Sequence, residues 1–187
     1  ASGKQSRKKN SFGCFYTRTT GIWQSVWLEW LPEKYIDQVR FYPNVQSGAV
    51  EVDLRVKGEG KYSVIVSFEG EIVGRAEGEI SNQKKFEISL SQIKLWELGK
   101  GNLYNVQIAF AEDVIASYFG LREVRYEGYD FLLNGKPIMQ KMVLDQGYYS
   151  DGIYLPAEPE EYERDILRMK ELGFNLLRKH IKIEPEC

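Results

Sequence analysis

Ala49-Val-Glu-Val-Asp-Leu-Arg-Val-Lys57 alternates without a break. Val50, Val52, Leu54 and Val56 fall on one side of a pleated strand, and Glu51, Asp53, Arg55 and Lys57 on the other. One face therefore meets a core and the other meets water. Gly58-Glu-Gly60 reads as the end of that strand, and Tyr62-Ser-Val-Ile-Val-Ser-Phe68 as the start of the next. Glu69-Gly70 supplies a tight turn into Glu71–Ala76. Phe86–Leu90, Tyr104–Phe110 and Val114–Tyr118 follow, and Tyr35–Phe41 leads the set. About seven strands at intervals of roughly ten residues have the cadence of an immunoglobulin-like β-sandwich. No cysteine pair lies inside this region, which excludes an inter-sheet disulfide but not the fold.

At Gly120 the pattern changes. Asn134-Gly135, between Phe131–Leu133 and Pro137–Met139, is a hairpin signal because both residues tolerate positive φ. Met142-Val-Leu144 reads as a short strand ending at Asp145-Gln146-Gly147. A helix follows the Tyr- and Gly-rich loop. Pro159 suits its first turn, Glu160 and Glu161 its positive end, Lys170 its negative end and Gly173 its C-terminal cap. Tyr162, Ile166, Met169 and Leu172 form the apolar stripe. Asn175–His180 is a second short strand, so strand, helix and strand make one βαβ unit with parallel pairing. The residues after 119 fall far short of the about 250 that an eight-stranded β/α barrel requires. The expected fold class is thus mainly β: a sandwich followed by an incomplete β/α segment. Such a segment leaves open edges and an uncovered apolar face, so either it packs on the sandwich as an appendage or the chain is a piece of something larger.

Three of the four tryptophans lie in Ile22-Trp23-Gln-Ser-Val-Trp27-Leu-Glu-Trp30. In an extended strand Trp23 and Trp27 point one way, while Ile22, Val26, Leu28 and Trp30 point the other. With large apolar groups on both faces, a strand buried at a seam is expected rather than a ladder for stacking sugars or bases.

Composition narrows the function classes. The 187 residues carry 27 acidic and 25 basic side chains, a balance that gives no sign of nucleic acid, acidic membrane or strongly charged substrate. Lys4, Arg7, Lys8 and Lys9 have polar neighbours and no helical period, so they read as a solvated loop. Cys14, among aromatics, is expected to be a buried thiol; with only Cys187 besides it, a disulfide framework is not expected. A single histidine cannot assemble a Cys/His zinc site, and no cofactor is expected. No apolar run reaches the length of a membrane helix, and the opening Ala1-Ser-Gly-Lys is not a signal peptide.

Three separated motifs resemble glycoside hydrolase family 2, the β-galactosidase, β-glucuronidase and β-mannosidase group. The first is Thr17-Arg-Thr-Thr-Gly-Ile-Trp-Gln-Ser-Val-Trp-Leu-Glu29, similar to the closing strand of that family's sugar-binding jelly roll. The second is Leu95-Trp96, Asn102-Leu-Tyr104 and Tyr118-Phe-Gly-Leu-Arg122. The third joins Phe131–Ile138, Leu144-Asp-Gln-Gly-Tyr-Tyr149 and Leu172-Gly-Phe-Asn-Leu-Leu-Arg-Lys-His180, which resemble the first barrel strand, first helix and second strand. The resemblance implies that residues 1–31 close a jelly roll, 32–119 form the immunoglobulin-like sandwich and 120–187 begin the catalytic (β/α)8 barrel.

A retaining glycosidase needs two carboxyl groups about 5 Å apart, a proton donor and a nucleophile. The resemblance puts both glutamates beyond Cys187, so no catalytic residue is assigned here and the chain alone is expected to be inactive. The carboxylates present have simpler readings. Glu184 and Glu186 lie at a free end, Glu158, Glu160, Glu161 and Glu163 serve the helix dipole, and Glu112 and Asp113 occupy a turn. Barrel active sites are lined by the C-terminal ends of strands. Asp145 and Gln146 end the first strand and Arg178 and His180 the second, so these four are the candidates for contacting a β-glycoside. Arg178 matches an arginine that shapes the family's sugar pocket. Asp145-Gln146 departs from the histidine-containing sequence common in β-galactosidases, so specificity does not carry over. The alternative is a non-catalytic sandwich module for carbohydrate or protein contacts.

Overall fold

A computed structural model describes residues 4–184; Glu186 and Cys187 lie outside them. The Cα positions fall into two compact units. One comprises the described residues up to Leu28 and from Gln140 on; the other is Glu29–Met139.

The larger unit is built on a long hairpin. Strand β2 (Ala49–Phe68) and strand β3 (Glu71–Ser89) are antiparallel partners along their length, joined by Glu69 and Gly70 at φ 49° and 87°. Positive φ at both central residues matches the twist of a two-residue hairpin turn. β2 keeps β3 on one edge. The other edge takes β1 (Tyr35–Asn44) along its first half and β4 (Tyr104–Phe110) along its second, and β5 (Asp113–Phe119) extends β4. The sheet curls until its two ends meet. Phe41 of β1 and Phe119 of β5 have ring centroids 5.5 Å apart, and the Ile36 N–H donates to Asp113 Oδ2 at 2.8 Å.

Gly58-Glu-Gly60 bends β2 rather than ending it. Pairing jumps from Arg55↔Gln83 to Glu59↔Ser81, so three residues on β2 oppose only Asn82 on β3. Gly58, at φ 102°, takes a backbone conformation that a side chain would strain. The seven strands expected from the turn signals are therefore five, because the bent hairpin supplies four of the expected segments. The predicted alternation holds on both sides of the bend. Val50, Val52, Leu54 and Val56, then Tyr62, Val64, Val66 and Phe68, all enter one core with Ile88, Tyr104, Ile108 and Phe110. Tyr104 is fully buried, and its hydroxyl is satisfied by accepting from Lys94 N at 2.7 Å and donating to Gln92 O at 2.9 Å.

The expected Asn134-Gly135 turn forms, with φ of 51° and 75°, between β7 (Asp130–Leu133) and β8 (Lys136–Pro137); β6 (Val124–Glu127) completes a small antiparallel sheet. This sheet groups with the sandwich and not with the residues that follow it, because Asn134 bolts it there. Its Oδ1 accepts from Glu123 N at 3.0 Å and its Nδ2 donates to Trp96 O at 2.9 Å. The second sequence motif converges at the same place. Trp96 N donates to Leu121 O at 2.9 Å, Asn102 Nδ2 donates to Leu95 O at 2.8 Å, and the Arg122 guanidinium lies 4.5 Å from the Trp96 ring centre. A Cβ on Gly120 would come within 3.3 Å of Trp96 Cδ1, so a side chain there would press on the indole.

In the other unit, β9 (Met142–Asp145) and β10 (Leu176–Lys179) pair in parallel across helix α1 (Glu160–Glu171), which is the βαβ unit expected. Pro159 begins α1. At its end Gly173 N donates to Lys170 O and Phe174 N to Met169 O, with Gly173 at φ 83°, so the exposed carbonyls are satisfied by the glycine cap anticipated from sequence. No helix side chain is buried; Ile166 and Leu172 stay exposed.

Two expectations fail here. The tryptophan run forms no strand among the described residues, and Trp30 and Leu28 are 94% and 89% exposed. A strand needs a neighbour to take its backbone hydrogen bonds, and no described segment supplies one. Trp23 alone gains an aromatic contact, edge-on to Tyr154 at 5.1 Å. Cys14 is exposed rather than buried, because it sits at the tip of the tight turn closed by Phe12 and Phe15.

Candidate functional site

The four residues singled out from sequence lie together at the C-terminal ends of β9 and β10, and they divide into two kinds. Asp145 is occupied internally. Its Oδ1 accepts from Gly147 N at 2.7 Å, and its Oδ2 pairs with Lys179 Nζ at 2.5 Å. His180 N donates to Asp145 O at 2.9 Å, which prolongs the parallel ladder past the strand. Gln146 and His180 form a side-chain pair, with Oε1 3.2 Å from Nδ1. With that oxygen accepting, the imidazole carries its proton on Nδ1 and leaves Nε2 as an acceptor. Arg178, two residues before His180, shares its face and is exposed. Desolvation, then the positive charges of Lys4 and Arg178, hold the His180 ring below its ordinary value of 6.5, so it is neutral at neutral pH.

Behind this pair lies a charge cluster that the sequence reading missed. The Lys182 side chain is only 2% exposed. Its ammonium donates to Gly147 O at 2.7 Å, pairs with Glu184 Oε2 at 3.0 Å, and lies 5.0 and 5.5 Å from the ring centres of Tyr154 and Tyr149. Lys179 bridges Asp145 and Glu184, and the Tyr162 hydroxyl of α1 donates to Glu184 Oε2 at 2.9 Å. Glu184 is thus no loose carboxylate at a free end. Burial pushes its pKa up, but hydrogen bonds from Lys179, Lys182 and Tyr162 outweigh burial and leave it below the ordinary value. Burial likewise pushes the Lys182 ammonium down and the Tyr149 phenol up to about 12. Two carboxylates and two ammoniums cancel here. The cluster fixes the strand ends and offers no group free for acid–base work. The signal available in the sequence was three charged residues, Lys179, Lys182 and Glu184, within six positions of a strand end.

The helix carboxylates lie where the sequence placed them, whereas Asp113, expected in a turn, belongs to a strand. Glu160, Glu161 and Glu163 occupy the first turn of α1, where Glu161 pairs with Arg164. Asp113 opens β5 and accepts the Ile36 N–H at 2.8 Å.

Comparison with known proteins places these observations. Residues 34–122 match the model of glycosyl hydrolases family 2. A β-galactosidase of Thermoanaerobacterium thermosulfurigenes is 30% identical over 95 residues, 48% of this chain and 13% of that protein. A β-galactosidase of Staphylococcus xylosus is 23% identical over 164 residues, 86% of this chain and 16% of that protein. The chain therefore spans less than a fifth of these relatives. Among solved structures, a β-glucuronidase from Ruminococcus gnavus in complex with D-glucaro-d-lactam superposes with a TM-score of 0.73 at 23% identity, over 83% of this chain and 27% of that one. Another solved structure, Ruminococcus gnavus β-glucuronidase, gives 0.70 at 24% identity, over 83% and 26%. At these identities the superpositions show a shared fold. Over residues 34–122, just under half of the chain, the curled β-sheet is therefore similar to glycosyl hydrolases family 2, and these relatives support reading the chain as resembling a fragment of that family.

Proposed function

We propose that this chain is a portion of a retaining β-glycosidase, in which β9, α1 and β10 open the catalytic barrel and the ends of β9 and β10 contribute one wall of the sugar pocket. The observation that carries this is the parallel β9–β10 pair, with Gln146 and His180 joined at its C-terminal end and Arg178 on the same face. Barrel enzymes place substrate at that end of their strands. Neutral His180 and the amide of Gln146 offer donors and acceptors suited to sugar hydroxyls, and Arg178 offers a fixed fork. Asp145, held by Lys179 and Gly147, positions the strand end rather than touching sugar.

The sandwich is the family's immunoglobulin-like domain, covering about residues 32–119. Tyr104 supports this assignment: it opens β4 and bonds back to the chain upstream, as a tyrosine does in such sandwiches. Residues 1–31 end a jelly roll, and the two-sided apolar run from Ile22 to Trp30 is then the strand that such a sheet would cover. The two catalytic carboxyls come from elsewhere in the enzyme, since the carboxylates at the β9 and β10 ends are all ion-paired.

The test has two parts. The purified chain is expected to give no turnover of chromogenic β-galactosides or β-glucuronides, while monosaccharides are expected to shift the NMR resonances of Gln146 and His180. Turnover that survives Arg178→Gln and His180→Ala would place the chemistry within this chain and refute the assignment.

A further inference from the structure

Asn134-Gly135 is the one Asn-Gly pair in the sequence. Such a pair is chemically labile, because a backbone nitrogen with no side chain beside it can attack the neighbouring carboxamide. Here the same carboxamide is structural. Its Oδ1 accepts from Glu123 N at 3.0 Å and its Nδ2 donates to Trp96 O at 2.9 Å. Asn134 N also donates to Glu123 O at 2.9 Å. These three bonds tie the β6–β8 sheet to the sandwich. The hairpin itself holds the turn weakly. β7 pairs with β8 only at Leu132↔Pro137 and Leu133↔Lys136, and Pro137 has no N–H to give that ladder. Gly135 is exposed, and a Cβ added to it would meet nothing within 4 Å, so the turn is open on that side. Asn82 makes a natural contrast. It is exposed at φ 64°, close to the 51° of Asn134, but Gln83 follows it in place of a glycine.

We propose that Asn134 is a site of spontaneous deamidation that reacts when the β6–β8 sheet opens, and that its product keeps the sheet from closing again. In the reaction Gly135 N forms a bond to Asn134 Cγ, and the Cγ–Nδ2 bond breaks. Nδ2 leaves as ammonia, carrying the proton that Gly135 N gave up. Water then adds to either carbonyl of the succinimide ring and breaks its bond to the ring nitrogen, leaving aspartate or isoaspartate at position 134. While the sheet is closed, the two side-chain hydrogen bonds fix the plane of the carboxamide, and Trp96 O holds the leaving nitrogen. Attack therefore waits on local opening. Either product is a carboxylate with no N–H for Trp96 O, so oxygen would face oxygen where a hydrogen bond stood. Isoaspartate also adds one carbon to the backbone inside a two-residue turn, which shifts the β7–β8 register. The step does not reverse, and it is independent of the sugar-pocket assignment above.

The experiment is peptide mapping by mass spectrometry of the 187-residue chain, held in mildly alkaline buffer with and without denaturing urea. A free Phe-Leu-Leu-Asn-Gly-Lys peptide alongside sets the chemical rate. Asn134 is expected to convert in urea as fast as in the peptide, and at least about tenfold more slowly in the folded chain. Leu132→Ala, which empties a buried position of β7, should speed conversion in the folded chain at least about threefold. Urea below the unfolding transition should do the same to the parent without a substitution. Asn82 should stay intact throughout. In the separated deamidated chain, the amides of Arg125 and Leu132 should exchange at least about tenfold faster, while Val64 and Ile108 do not change. Equal rates in the folded chain and in denaturing urea overturn the proposal. Conversion in the folded chain that neither low urea nor Leu132→Ala accelerates also overturns it, as does conversion of Asn82 at the rate of Asn134. A deamidated chain whose β6–β8 protection equals that of the parent overturns it as well.

Discussion

Lys182→Met removes the buried ammonium while keeping a stem of similar length against Tyr149 and Tyr154. Two things are lost. Gly147 O, in a buried backbone segment, forfeits its donor at 2.7 Å, and Glu184 is left with Lys179 and Tyr162. A hydrogen bond to a charged group is worth about 1.5–3 kcal/mol, and an unsatisfied buried acceptor costs about 1–3 kcal/mol. Against these stands the relief of desolvation, which is real here because burial lowers the Lys182 pKa despite the nearby Glu184. The net destabilisation of the βαβ unit is about 2 kcal/mol, close to a 30-fold change in an opening equilibrium. Amide hydrogen exchange resolves it, because it reads residues of each compact unit separately. Leu177 and Lys179 of β10 should exchange about 30-fold faster in the variant, while Val64 of β2 and Ile108 of β4 should not change. Protection in β10 within about threefold of the parent, or equal losses in both units, would show that the cluster does not hold the strand ends. Adding Glu184→Gln to Lys182→Met should cost less than the sum of the two single changes, because the partners share one network.

Glu184 gives a pH dependence of definite sign. Its folded pKa lies below the ordinary 4.5, so its stabilising contribution is fully present above 4.5 and is lost as pH falls through the folded value. β10 protection should weaken along that acid limb in the parent and lose most of that dependence in Glu184→Gln. Tyr148→Phe removes a buried hydroxyl that has no partner, so the free chain should be unchanged or up to about 1 kcal/mol more stable by chemical denaturation. Asn134→Ala deletes bonds to Glu123 and Trp96 and places a Cβ-bearing residue without asparagine's local bonding at φ 51°. It should destabilise the sandwich by about 2–3 kcal/mol, and Asn134→Gly should recover only the backbone part.

The sandwich was legible from sequence because its signal is local. An alternating strand states which face it buries, and the two halves of β2 keep that alternation across the bend. The bend itself was misread as an end, since a glycine that kinks a strand and one that stops it look alike without the partner strand. The helix limits were legible for the same reason, Pro159 and Gly173 being read by their neighbours alone. The site was half legible. Asp145, Gln146, Arg178 and His180 are brought together by strand order, which pattern reveals. Lys182 and Glu184 acquire their environment from a loop and a helix remote in sequence, and no local pattern records that Tyr149, Tyr154 and Tyr162 surround them. The tryptophan run shows the converse. Its two-sided pattern asks for a cover that no described residue provides.

The bent hairpin also sets the order in which the sandwich can assemble. Both layers are halves of the same two strands, so neither has to find a distant partner by diffusion. Zippering from Glu69-Gly70 toward the chain-distant ends forms 17 residue pairs with small loop-closure entropy at each step. β1 joins β2 as a hairpin through residues 45–48, β4 and β5 add as another, and the costly long-range step is left to the closure of β1 on β5. The Ile36–Asp113 bond, 77 residues apart in sequence, is that final clasp. Asp113→Ala should therefore speed unfolding far more than it slows folding, a signature readable in a single chevron.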